Sequence, residues 1–121
     1  MTLERLLTLL EDLRPYCQYT VDDTTECAET DYLANRILRQ AVERNLESIG
    51  EVIARLLSTE PTMAEHFSAV RRIIGLRNRL AHGYDADIDD RLIWEVTQRS
   101  IPVLPQEADV LLIRLRDDAQ C

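Results

Sequence analysis

Apolar residues in this chain recur at intervals of three and four, and this spacing constrains the fold more than any other feature. The longest series comprises Leu38, Val42, Leu46, Ile49, Ile53 and Leu56. Such intervals place side chains on one face of an α-helix, whereas a half-buried strand would alternate at every second residue. The pattern predicts an all-α fold, an antiparallel up-and-down bundle of about five helices. At 121 residues, the chain is expected to form one domain over residues 1–121.

Proline, glycine and acidic residues predict where the first two helices begin and end. The first helix is expected to run past Pro15, which kinks or ends it near residues 16–19, and the acidic segment 21–30 is expected to be a loop. The second helix is expected to begin at Thr30 or Asp31 and to reach about Ser58. Gly50 lies inside this helix, where glycine is unfavourable, and it therefore predicts a close approach by a neighbouring helix.

Similar signals divide the second half of the chain. A third helix is predicted from position 62 or 63 to Ala81, with Gly83 as its C-terminal cap. Residues 85–87 are expected to supply the turn and cap of a fourth helix, which ends before Pro102. Pro105 is expected to open the fifth.

Composition excludes several classes of protein. No apolar run reaches the roughly 20 residues that span a bilayer, so we expect a cytoplasmic protein with no membrane contact. The three cysteines lack metal-binding spacing and their odd number argues against a full set of disulfides, so we expect no metal and no cofactor. The net charge of −8 is unusual for an RNA-binding protein, but residues 66–84 contain four arginines and no acid.

The segment 77–84 carries the residues best suited to catalysis, namely Arg77, Asn78, His82 and Tyr84. In RNA cleavage the 2′-hydroxyl attacks the adjacent phosphorus, so a site needs proton transfer and fixed positive charge. Histidine titrates near neutrality and suits proton transfer, whereas arginine keeps its charge and suits the phosphorane oxygens. Arg77 also shares a helix side with apolar residues, which requires an anionic partner: a phosphate, or an acid such as Glu47 or Glu51.

One copy of this segment supplies a single histidine, so the second proton carrier has to come from elsewhere. Tyr84, a water molecule and the same segment of a second subunit are all possible sources. Twofold pairing through this helix would bring two arginines and two histidines into one cleft. The acidic turn after residue 84 is expected to be chiefly a helix cap.

Together these residues resemble the Arg-x4-His-x-Tyr signature of HEPN domains, and of HepT-like toxins in particular. Ile49-Gly50-Glu51 is similar to the Ile-Gly-Glu of that family, and Arg77-Asn78 to its Arg-Asn pair. The resemblance covers nearly the whole chain and is weakest over residues 21–30. Phe67 stands where the family commonly has tryptophan.

The resemblance implies a homodimeric, metal-independent ribonuclease toxin of a type VII toxin–antitoxin system, with RNA as substrate. It implies Arg77 and His82 as catalytic residues and Asn78 as a polar neighbour that orients them. It further implies that an MntA-like nucleotidyltransferase antitoxin silences the toxin by transferring AMP to Tyr84. The alternative is a non-catalytic HEPN-like module that binds nucleotide or regulates a nucleotidyltransferase.

Overall fold

The computed structural model describes residues 2–82 and 88–120, which form six α-helices and one 3₁₀ helix with no strand among them. The α-helices are α1 (Thr2–Thr24), α2 (Glu29–Ala34), α3 (Arg36–Thr59), α4 (Val70–His82), α5 (Asp90–Arg99) and α6 (Leu104–Gln120). The 3₁₀ helix spans Pro61–His66. The predicted all-α class and antiparallel bundle are confirmed: α3 packs against both α1 and α4, and α6 packs against α1.

The apolar series of α3 forms part of the core, as its spacing predicted. Val42, Leu46, Ile49, Ile53 and Leu56 are buried, whereas Leu38 at the start of the series is only partly buried. Because α3 packs against both α1 and α4, it is the central helix of the bundle. None of the described helices is long and apolar enough to cross a membrane.

The first helix runs past Pro15 as predicted, but it does not end near residues 16–19, because α1 continues to Thr24. Pro15 is exposed, so water can reach the carbonyl group that loses its partner. Beyond the proline, Thr20 and Thr24 are buried, and each hydroxyl donates to the carbonyl four residues earlier at 2.8 Å. These bonds satisfy the threonine side chains within the core, so the helix can extend into the segment predicted to be a loop.

The predicted second helix is divided in two at Asn35. The Asn35 side chain accepts a hydrogen bond from the Leu38 amide at 3.1 Å and thereby caps α3. Before this break, Asp31 accepts from the Ala28 amide at the start of α2. The short α2 buries Tyr32, whose ring centroid lies 5.3 Å from that of Trp94 on α5.

The predicted third helix is also divided, because the chain is extended at Phe67 between the 3₁₀ helix and α4. Phe67 is buried in the core, and the Ser68 amide donates to the Glu107 carboxylate of α6 at 2.9 Å. The cap of α5 is Asp89, which accepts from the Arg91 and Leu92 amides, rather than the predicted segment 85–87. That segment and the predicted cap Gly83 lie outside the described residues. Pro105 lies in the first turn of α6, as predicted.

Candidate active site

Arg77 lies in α4 on the side that faces α3, and Gly50 makes this position possible. A Cβ atom placed on Gly50 would lie 2.4 Å from the Arg77 Cβ and 2.6 Å from its Cγ. No side chain larger than hydrogen therefore fits at position 50 without moving α4. The close helix approach predicted from Gly50 is confirmed, and the residue that approaches is the predicted catalytic arginine.

Glu51, the next residue of α3, forms an ion pair with Arg77. The Arg77 Nη2 donates to Glu51 Oε2, and the Arg77 Nη1 donates to Asn78 Oδ1 at 2.9 Å. Of the two predicted acidic partners, Glu51 is the one that binds, whereas Glu47 pairs with Arg44 at 3.6 Å. The Arg77 side chain retains 27% exposure, and the two bonds use only two of the five guanidinium N–H donors.

A second arginine holds the same carboxylate. The Arg55 Nε donates to Glu51 Oε1 at 3.0 Å. The hydrogen bond from Arg55, followed by the one from Arg77, keeps the pKa of Glu51 below its ordinary value of 4.5. Because two guanidinium groups share one carboxylate, this cluster keeps a net charge of about +1 near neutrality.

An open groove of about 560 Å³ lies beside this cluster, between α1, α3 and α4. Its lining includes Tyr16 and Tyr19 from α1, Arg44 and Arg55 from α3, and Arg77 from α4. Arg77 is therefore paired with a carboxylate and also reaches a space that a ligand can enter.

His82, the last residue of α4, is exposed. Five residues of α-helix advance about 7.5 Å and turn roughly 140°, so the Arg77 and His82 side chains leave α4 in different directions. The structure thus brings Arg77 and Asn78 together, whereas within one chain the His82 side chain points away from that of Arg77. The predicted AMP acceptor Tyr84 lies outside the described residues.

The chain matches a protein family over most of its length. A family model described as "Ribonuclease HepT-like" matches residues 6–111. This chain belongs to the HepT-like ribonuclease family. The match includes Arg77, Asn78 and His82, and it also includes Gly50 and Glu51, which lie against Arg77.

Several relatives of this HepT-like chain are named as ribonucleases. "Putative RNase TTE0752" of Caldanaerobacter subterraneus subsp. tengcongensis is 29% identical over 105 residues, which are 85% of this chain and 90% of that relative. "Putative RNase MJ1380" of Methanocaldococcus jannaschii is 29% identical over 104 residues, 84% of this chain and 92% of the relative. No solved structure gives a significant match.

A third relative is longer than this HepT-like chain. "Gamma-glutamylcyclotransferase and putative RNase MJ0434", also of Methanocaldococcus jannaschii, is 31% identical over 99 residues. These residues are 82% of this chain but only 42% of the relative.

The sequence analysis did not predict two parts of this HepT-like site, namely Arg55 and the pair of tyrosines in α1. Arg55 follows Glu51 by four residues, which is the spacing of an intrahelical ion pair, so the link between them was open to prediction. Tyr16 and Tyr19 lie in α1, and no motif or spacing in the sequence connects them with Arg77.

Proposed function

We propose that this HepT-like protein is the ribonuclease toxin of a type VII toxin–antitoxin pair, that it cleaves RNA without a metal ion, and that it acts as a homodimer. One observation carries the proposal. Arg77, the arginine of the family motif, is half-buried yet borders an open groove, where Glu51 and Asn78 fix the direction of its guanidinium.

The proposed reaction is an internal transfer at phosphorus. The 2′-oxygen of the RNA forms a bond to the neighbouring phosphorus and loses its proton to a base. The bond from phosphorus to the 5′-oxygen breaks, and that oxygen receives a proton. Arg77 stabilises the negative charge on the phosphorane oxygens, while His82 carries one of the two protons. Each contribution is worth about 100-fold in rate when the geometry is right.

The bond between Glu51 and Arg77 is compatible with this role. Three N–H donors of the Arg77 guanidinium remain for phosphate oxygens after its bonds to Glu51 and Asn78. Since Arg55 shares the carboxylate, Glu51 does not cancel all of the positive charge. A fixed guanidinium also loses little conformational entropy when a phosphate binds.

The Arg77 and His82 side chains leave α4 in different directions, which favours an active site built from residues of two subunits. In a twofold dimer that pairs through the ends of α4, His82 of the partner subunit approaches the phosphate held by Arg77. The same pairing supplies the second proton carrier that one chain lacks.

Regulation in this proposal acts on Tyr84. On a nucleotidyltransferase antitoxin, the tyrosine oxygen loses its proton to a base and forms a bond to the α-phosphorus of ATP. The bond from that phosphorus to the bridging oxygen breaks, so pyrophosphate leaves and AMP remains joined to the tyrosine as a phosphodiester. The added phosphate brings negative charge and bulk within seven residues of Arg77. It therefore competes with RNA for the same guanidinium.

Incubation of a short oligoribonucleotide with the purified protein in EDTA tests the activity. We expect cleavage that leaves a 2′,3′-cyclic phosphate, loss of cleavage in His82→Ala, and no cleavage of the all-deoxy oligonucleotide, which lacks the attacking hydroxyl. Cutting of the all-deoxy strand, or full activity in His82→Ala, would overturn the proposal. A non-catalytic module would cut neither strand.

Co-expression with the proposed nucleotidyltransferase antitoxin tests the regulation. Intact-mass measurement should show the addition of one AMP, and peptide mapping should assign it to Tyr84. Tyr84→Phe should abolish the addition. An unchanged mass, or AMP on another residue, would refute this part of the proposal.

A further inference from the structure

We propose that the groove beside Arg77 is a subsite for one nucleobase of the RNA, which stacks on Tyr19. This inference rests on the proposed ribonuclease activity and extends it by assigning a place to the base next to the phosphate held by Arg77. The base would lie over α3, between Tyr19 of α1 and Arg77 of α4.

The size and position of the groove suit a single nucleotide. Its volume of about 560 Å³ falls within the range of roughly 300–1,000 Å³ found for small-molecule sites. Arg77 lines it directly, so a phosphate at Arg77 and a base in the groove can belong to the same nucleotide or to adjacent ones.

Tyr19 provides the stacking surface. This residue is 55% exposed although it is a large aromatic side chain in a helix. Its ring meets that of Tyr16 edge to face, with centroids 6.4 Å apart and an angle of 77° between the planes. The contact restrains the Tyr19 ring and leaves more than half of the residue accessible. Exposed, restrained aromatic rings are the surfaces on which proteins stack unpaired RNA bases.

The charges around the groove favour a base over a run of phosphates. Arg44 and Arg55 line it together with the acids Asp12 and Glu47. A channel for the backbone would be uniformly basic, because carboxylates repel phosphates. Carboxylates instead accept hydrogen bonds from the N–H groups on base edges, and Ser48 adds a hydroxyl group to this wall. The lining therefore suits a stacked base whose phosphate lies at Arg77.

The test is binding of a fluorescein-labelled oligoribonucleotide of mixed sequence, measured by anisotropy in the His82→Ala background so that the RNA stays intact. A second probe of equal length and charge carries abasic sugars throughout. We expect Tyr19→Ala to weaken binding of the first probe about tenfold and to leave binding of the abasic probe unchanged. Tyr19→Phe keeps the ring and should bind as the parent does. Ile113→Ala, which removes an equally exposed apolar side chain from α6, is the matched control.

Two outcomes would overturn the inference. One is equal binding of the base-bearing probe by Tyr19→Ala and the parent. The other is a shift of Tyr19→Ala from dimer to monomer in sedimentation velocity, since that would show the groove to be covered by a second copy. Cleavage of RNA by the wild-type protein, measured in parallel, distinguishes a failure of the base-subsite inference from a failure of the ribonuclease proposal. If Tyr19→Ala weakens base-dependent binding but the wild-type protein does not cleave RNA, the ribonuclease proposal is refuted and the base subsite stands. If the wild-type protein cleaves RNA but Tyr19→Ala does not change binding, the base subsite is refuted and the ribonuclease proposal stands.

Discussion

Gly50 on α3 and Arg77 on α4 lie so close together that a Cβ at position 50 would come within 2.4 Å of the Arg77 Cβ. The two atoms that would collide with it, Cβ and Cγ, belong to the stem of the arginine, which cannot move away without α4. Gly50 therefore sets the distance between these helices at the position of the motif arginine, while its neighbour Glu51 binds the guanidinium at the other end of the same side chain.

Gly50→Ala is expected to destabilise the protein. The added methyl group overpacks the interface between α3 and α4, at a cost of about 1–3 kcal/mol. A contact of 2.4 Å between two Cβ atoms places this cost in the upper part of that range, above the gain of about 1 kcal/mol in helix propensity. Urea denaturation followed by circular dichroism measures the change.

Gly75→Ala is the matched control, because this glycine also lies inside a helix but a Cβ atom added to it would meet no atom within 4 Å. Here only the propensity gain applies, and stability should rise by about 0.5–1 kcal/mol. If the two variants changed stability in the same direction, the close approach at Gly50 would not be what determines its effect.

Glu51 is expected to make the stability of the fold depend on pH in acid. Hydrogen bonds from Arg55 and then Arg77 lower its pKa in the folded state below the ordinary 4.5. A group with a lowered folded pKa stabilises the fold above its unfolded pKa, and this stabilisation is lost as the pH falls through the folded value. Glu51→Gln should therefore melt at a lower temperature than wild type near neutrality.

The difference in melting temperature between wild type and Glu51→Gln should shrink as the pH falls below 4.5. Thermal melts at a series of pH values measure it, and Glu65→Gln, at an exposed site on the 3₁₀ helix, is the control. A difference in melting temperature that stays constant down to the lowest pH would show that the charge of the Glu51 carboxylate does not contribute to stability.

Tyr32→Phe is expected to preserve or raise stability. The Tyr32 hydroxyl is buried and has no hydrogen-bond partner among the described residues, and burial raises the pKa of this tyrosine. Removing an unsatisfied polar group recovers about 1 kcal/mol, whereas the ring, which packs on Trp94, remains. Tyr32→Ala should lose about 3–5 kcal/mol. A loss of more than about 1 kcal/mol in Tyr32→Phe would indicate that the hydroxyl is bonded.

The sequence predicted the central helix well because its buried face follows from a single period. Val42, Leu46, Ile49 and Ile53 repeat over several turns, and no local signal competes with them. Gly50 was equally clear, since a glycine in such a helix requires a close neighbour. Periodicity gives no information about which side chain that neighbour presents.

The helix ends were harder to predict because weak local effects compete there. Pro15 lies within α1 because it is exposed and because the buried threonines after it bond to their own helix. Asn35 interrupts the predicted second helix by capping α3. Likewise, the choice of Glu51 over Glu47 as the partner of Arg77 depends on how α4 is rotated against α3, which only the packed structure determines.

Comparing Arg77→Ala with Arg79→Ala in RNA cleavage in the presence of EDTA tests whether Arg77 is catalytic. Both variants remove one positive charge from α4, but Arg79 is exposed and outside the groove. Arg55 still pairs with Glu51 in Arg77→Ala, so no carboxylate is left alone and the fold should persist. We predict that Arg77→Ala lowers the rate about 100-fold or more and that Arg79→Ala changes it little. Equal rates in the two variants, with both folded, would contradict the assignment of Arg77 to catalysis.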